Sequence, residues 1–340
     1  MSAIESLALR PATRPSQPVV IGHRGAPAYR PEPTAASYEL AIDLGAELIE
    51  PDVVISGDGV LVVRHESELS LSTDVATRAE FSGRRTTKFA GEQLCTGWFA
   101  EDFTLAELRT LRAIEPMPGL RPLNTAYDGQ FGILTLAEVV QLARRRSTPE
   151  RTIRVLAELK HVPSRVTRGL SMAELVTQEL QQLGATDAHG PVLLQSFDAD
   201  LLRDLRSRLG DAGPKMVQLI GDHTAGDQMV TSVGLREISA YAQGVAPSRD
   251  RLVCAERCAV QRDAAEMVYR SHVAGLTVYS WPVCPENASP ALGLQGSFAD
   301  IRGAESSARL VLDLGVDGVI TDIPDVAVRV RDERDASLVA

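Results

Sequence analysis

The chain has 340 residues, 44% of them hydrophobic, and a formal net charge of −10, which leaves room for one large α/β barrel or two medium domains. The acidic balance excludes nucleic acid as a general partner, because phosphate backbones need basic patches. It leaves open a small anionic substrate held by local cations.

The opening MSAIESLALRPATRPSQP lacks a basic start followed by an apolar run, and no stretch approaches the ~18 apolar residues of a membrane span. A cytoplasmic protein with no membrane span is expected, with residues 1–17 as an N-terminal extension. Cys95, Cys254, Cys258 and Cys284 form no CxxC pair. The CAERC stretch places two thiols on one helix face, and free thiols in a reducing compartment are expected. Asn287-Ala-Ser fits a glycosylation sequon, which is inert without secretion.

From residue 18 onward, apolar β-branched runs alternate with amphipathic helical patterns. VVIGHRG (19–25) is followed by a helix over 34–45, and ELIEPDVVI (47–55) by SGDGVLVVRHE, where Gly57-Asp58-Gly59 turns the chain back as a hairpin. Residues 67–134 are a mixed insertion of polar loops, prolines and one short helix, TLAELRTL. The alternation resumes with a helix over 135–146 and IRVLAELK (153–160), then PVLLQSF (191–197), KMVQLIG (215–221), GVAPS (244–248), LTVYSWPV (276–283) and DGVITDIP (317–324), with helical patterns between them. Eight strands alternating with helices predict one (β/α)8 TIM-type barrel over 18–335, with 67–134 over its C-terminal mouth. An open doubly wound sheet would need a glycine fingerprint after the first strand, and HRGAPA is not one.

Residues two apart on a strand share a face. Glu50 and Asp52 therefore point together, as do Glu158 and Lys160, all near strand C-terminal ends. His23 and Arg24 end the first strand, and His65 ends the hairpin's return strand. Three converging carboxylates repel unless protonated or bound to a cation, and an all-oxygen set suits Mg²⁺ or Ca²⁺. Two histidines flanking such a centre can serve as proton acceptor and donor, and Arg24 and Lys160 can bind an anion. Each piece alone is commonplace; the pattern lies in their meeting at consecutive strand ends, and it suggests phosphoryl chemistry.

The ordered set HRGAPAYRPEPT, IEPDVVISGDGVLVVRHE, AELK, LLQSFD, VYSWPV and GVDGVITDIPD resembles the glycerophosphodiester phosphodiesterases over roughly residues 19–326. The stretch after His65 resembles a bacterial subgroup with an enlarged insertion there. The resemblance implies a (β/α)8 barrel and hydrolysis of glycerophosphodiesters, such as glycerophosphocholine or glycerophosphoethanolamine, to sn-glycerol 3-phosphate and an alcohol. It implies His23 and His65 as the acid/base pair, and Glu50, Asp52 and Glu158 as ligands of one divalent cation, Mg²⁺ or Ca²⁺. Arg24 and Lys160 would hold the phosphate and Trp281 would line the pocket. Glu32 would support the metal or His23, with Glu66, Gln195 and Asp322 behind them.

Three departures stand out: Glu66 in place of the usual aspartate, Pro33 in place of asparagine or histidine, and Pro51 between two ligands. Pro51 removes a ladder donor, so a bulge or strand end is expected there. Cleavage of acylated phosphodiesters by lysophospholipase D or phospholipase D chemistry, a non-catalytic phosphodiester-binding barrel, and a glycosidase using Glu50 and Glu158 are the alternatives. The last leaves Asp52, Lys160 and both histidines unexplained.

Overall fold

The structure, a computed structural model, describes residues 17–90, 93–160, 171–222, 224–252, 258–286 and 301–339. The N-terminal extension up to residue 16, Cys254 and Asn287 lie outside them. Among the described residues twelve strands run in chain order: β1 (Val19–His23), β2 (Leu48–Glu50), β3 (Asp52–Ile55), β4 (Leu61–Val63), β5 (Thr86–Ala90), β6 (Gln93–Gly97), β7 (Arg154–Leu159), β8 (Val192–Ser196), β9 (Met216–Ile220), β10 (Gly244–Pro247), β11 (Thr277–Val283) and β12 (Gly318–Thr321).

All except β5 and β6 join one sheet, which closes on itself through parallel β1–β2, β2–β7 and β12–β1 pairings. β2 and β3 share one place in the ring and β4 pairs only with β3, so the ring is an eight-position parallel barrel. Its helices include Ala35–Asp43, Leu136–Arg146, Met172–Gln182, Ala199–Leu209 and, following the last strand, Pro324–Val339. Thr34, Thr135, Ser171 and Asp198 cap the first four of these through their side chains, each satisfying backbone donors that the first helical turn leaves open. Among the described residues no helix is long and apolar enough to cross a membrane.

The strand expected over 47–55 divides at Pro51, as its missing N–H requires: β2 pairs with β1 and β7, and β3 with β7 and β4. The GDG turn closes β3 onto β4, with Gly59 at φ +84°, where a Cβ is disfavoured. The insertion contains an antiparallel hairpin, β5–β6, that the sequence reading placed in loops. Its segments also build a small apolar core of their own, with Phe81, Phe103, Leu108 and Leu111 packed onto Val54 and Val62 of the β3–β4 hairpin.

Inside the ring, Ile21, Leu48, Leu156, Leu193, Ala246, Tyr279 and Ile320 form one buried layer. Two residues further along these strands lie His23, Glu50, Glu158, Gln195, Ser248, Trp281 and Asp322. The period-2 alternation that fills the barrel thus delivers polar side chains to its C-terminal mouth.

Candidate active site

The turn after β1 sets the geometry. Gly22 and Gly25 lie where a Cβ would be 2.6 Å from Gly25 O and 2.4 Å from the Ser37 backbone carbon, respectively. Between them Arg24 adopts φ +52°, the only non-glycine residue with positive φ among those described. That left-handed turn aims the Arg24 amide at Glu50, donating to its backbone carbonyl at 2.9 Å and to Oε2 at 3.1 Å. Such strain in a non-glycine residue is characteristic of functional turns.

Register places His23 opposite Glu50, Asp52 opposite Glu158, and Glu158 opposite Gln195. Glu50, Asp52 and Glu158, all buried, each bring a carboxylate oxygen within 4.8 Å of the others. Gln195 donates to Glu50 Oε1 at 3.1 Å. Lys160 Nζ lies 2.8 Å from Asp52 Oδ1 and 2.6 Å from Glu158 Oε1, and Arg24 Nε lies 3.2 Å from Asp52 Oδ2.

The environment drives the carboxylates apart electrically. Burial, then the charges of Asp52 and Glu158, pushes Glu50 well above the usual carboxylate range. Burial would raise Asp52 too, but Lys160, then His65 and Arg24, hold it far below. Despite these ion pairs, neither Asp52 oxygen accepts a well-aligned hydrogen bond, and the buried Gln195 Oε1 also lacks a partner. Crowded oxygen donors with unused lone pairs fit a hard divalent cation. A second group, Cys284, Glu286 and Asp322, also clusters. Its carboxylates already accept from Arg121 and His23, and burial keeps the Cys284 thiol well above its ordinary range, which makes it a poor metal ligand.

Both histidines are held by Nδ1. His23 Nδ1 is 2.7 Å from Asp322 Oδ1, and His65 Nδ1 is 2.8 Å from Glu66 Oε1. An ionised carboxylate can only accept, so Nδ1 carries the proton and Nε2 of each neutral ring is left basic. The longer glutamate side chain at 66 therefore reaches the ring. The two sites differ in wetness: the His23 and Asp322 side chains are 15% and 5% exposed, those of His65 and Glu66 34% and 53%.

Glu32 touches neither His23 nor the three-carboxylate cluster directly; it pairs with Arg24 and with Arg121. Trp281 donates its indole N–H to Ala246 O at 2.7 Å and meets Phe197 edge-on. Sequence reasoning missed Arg121, whose guanidinium from the insertion meets Glu32, Glu286 and Asp322, and it gave Asp322 only a distant place. It also missed Arg64, fully buried beside His65 and pushed down to about 10 by burial. Asp322 could have been found by counting two residues on from Ile320; nothing in the run GLRPL marks Arg121.

A sequence model of the glycerophosphoryl diester phosphodiesterase family matches residues 23–326. A glycerophosphodiester phosphodiesterase of Arabidopsis thaliana is 30% identical over 292 residues, covering 80% of this chain and 76% of that one. Another, from Haemophilus influenzae, is 26% identical over 345 residues, covering 92% and 89%. The same fold is seen in a crystal structure from Silicibacter pomeroyi, with 22% identity, a TM-score of 0.68 and coverage of 95% and 96%. It recurs in a phosphodiesterase of Oleispira antarctica solved with its product sn-glycerol-3-phosphate, with 21% identity, a TM-score of 0.61 and coverage of 93% and 97%. With a match that begins at His23 and takes in every strand-end residue described above, the chain belongs to the glycerophosphoryl diester phosphodiesterase family.

Proposed function

We propose that the protein hydrolyses glycerophosphodiesters such as glycerophosphocholine or glycerophosphoethanolamine to sn-glycerol 3-phosphate and an alcohol, with Mg²⁺ or Ca²⁺ at Glu50, Asp52 and Glu158 and with His23 and His65 as the acid/base pair. The observation that carries the reading is the meeting, at one end of the barrel, of a buried three-carboxylate cluster with two histidines whose Nδ1 atoms are each tied to a carboxylate. The family match and the product bound to the Oleispira antarctica relative support the substrate class.

A divalent ion held there supplies charge neutralisation and Lewis-acid polarisation of a phosphoryl oxygen. The remaining roles fall to side chains. Arg24 and Lys160 add positive charge for the phosphate. One imidazole Nε2 accepts the nucleophile's proton while the other, protonated, donates to the leaving alkoxide. The carboxylates on Nδ1 keep each ring in the required tautomer and stabilise its charged form. Residues 67–134, anchored on the β3–β4 hairpin, cap this end of the barrel.

Glycerol 3-phosphate release from glycerophosphocholine tests the reading. Release is expected to vanish in EDTA and to return with Mg²⁺ or Ca²⁺. His23→Ala should retain less than a tenth of wild-type activity, since each acid/base group contributes roughly 10²–10⁴-fold. Turnover unaffected by chelation, or a cyclic phosphate as the end product, would overturn it.

A further inference from the structure

We infer that Arg121 is a positioning residue for His23, acting through Asp322, so that the inserted segment sets the orientation and tautomer of a histidine on the first strand. The inference rests on the acid/base reading of His23.

The Arg121 side chain is 4% exposed, and all three of its nitrogens are engaged. Nη2 donates to Asp322 Oδ2 at 2.5 Å and to Glu286 Oε2 at 3.3 Å, Nε to Glu286 Oε1 at 2.7 Å, and Nη1 to Glu32 Oε2 at 3.3 Å. Asp322 is thereby shared, one oxygen facing the guanidinium and the other His23 Nδ1. Burial would raise the Asp322 carboxyl; His23, then Arg121 and Arg24, hold it down at about 2. The segment is pinned in place three residues further on, where Asn124 donates to Pro27 O and to Glu115 Oε2, both at 2.8 Å.

Without the guanidinium, Glu32, Glu286 and Asp322 would share one poorly solvated pocket with Arg24, Arg64 and His23 left to offset them, and of these only His23 hydrogen-bonds Asp322. The least costly relief is to protonate a carboxylate or to turn it away. An Asp322 that is protonated, or rotated off its plane, no longer requires a proton on His23 Nδ1. The proton can then sit on Nε2, the nitrogen that must be basic to accept one. Arg121 contacts no part of the three-carboxylate cluster, so its effect should fall on His23 and not on metal binding.

The test uses the full chain carrying Arg121→Ala, Arg121→Lys or Glu286→Gln. Two readouts are taken: steady-state kinetics with glycerophosphocholine, and the NMR signal of the His23 Nδ1 proton, assigned by its loss in His23→Ala. Arg121→Ala is expected to lower kcat by roughly 10–100-fold, as removal of partners behind a catalytic group does, with KM little changed and the His23 signal shifted or lost. Added guanidinium ion at non-denaturing concentration should restore part of kcat in that variant, and Arg121→Lys should lie between the two. If Arg121→Ala does not fold, Glu286→Gln decides, because it loosens the guanidinium without touching His23; a smaller loss of kcat with a shifted signal is expected. An unchanged His23 signal with full kcat, or a loss confined to KM, would overturn the inference. Should the wild type turn over no phosphodiester, the NMR arm still decides the positioning role, while the hydrolytic reading alone fails.

Discussion

Replacing Lys160 by methionine is expected to destabilise the metal-free protein and to leave the ion-loaded protein close to wild type. The ammonium lies 2.8 Å from Asp52 Oδ1 and 2.6 Å from Glu158 Oε1. At an effective dielectric constant of about 20, each contact is a gross attraction of about 6 kcal/mol. Releasing the partly buried ammonium returns part of that, but the buried Asp52 and Glu158 carboxylates lose their partner, so the net loss should be about 3–5 kcal/mol, as when one side of a buried ion pair is removed. A divalent ion among Glu50, Asp52 and Glu158 would replace the lost charge. Urea unfolding of both proteins, in EDTA and at saturating Mg²⁺ or Ca²⁺, measures the difference directly. The gap should be wide in EDTA and narrow with ion, so the ion stabilises the variant more than the wild type. Equal stability in EDTA would refute the claim that Lys160 holds the carboxylates. A gap that persists with ion would refute their assignment as ligands.

Gly25→Ala should cost about 2–5 kcal/mol, combining left-handed strain of about 1–2 kcal/mol with overpacking of about 1–3 kcal/mol. Its Cβ would fall 2.4 Å from Ser37 C and 2.6 Å from Ser37 O at a φ of +95°. An unchanged melting temperature would contradict this. Asp322 titrates at about 2 against an ordinary value of 3.8. It therefore stabilises the fold above the ordinary value and ceases to do so as pH falls through the lower one. That contribution is about 2 kcal/mol, and Asp322→Asn should flatten the acid limb of the stability curve between those two values. Superimposable acid limbs would rule the contribution out.

The barrel was legible because its signal is local and repeated: β-branched runs at regular intervals, glycine-ended helices, and a proline whose missing N–H breaks β2 from β3. The three carboxylates and two histidines were legible because strand alternation turns sequence spacing into shared direction. Contacts between distant segments were not. Arg121 meets Asp322 across 201 residues, and no periodicity reports on a side chain carried in by a loop. The β5–β6 hairpin escaped because TTKFA opens with three polar residues after Arg84-Arg85, and neither it nor QLCTG shows the period-2 alternation that marks a strand. Glu32 was placed in the right loop, but its direct partners there are Arg24 and the unseen Arg121, so any support it gives the carboxylate cluster or His23 runs through those guanidinium groups.

The division of one strand at Pro51 also decides where this protein can change. β2 completes the ring with β1 and β7, while β3 parts from β1 and turns out to β4. The chain thus leaves the ring and returns at β7 without interrupting its closure. What grows on that excursion is joined to the barrel by apolar seats that include Val54 and Val62, by hydrogen bonds at the β3–β4 turn and at Pro27, and by one buried cation. A replacement segment of different length that covers those seats and presents a guanidinium to Glu32 and Asp322 would meet the same structural requirements. On the proposed reading of the site, the molecule separates a fixed reaction frame from an exchangeable rim, where selectivity for the leaving alcohol would diversify while the chemistry stays in place.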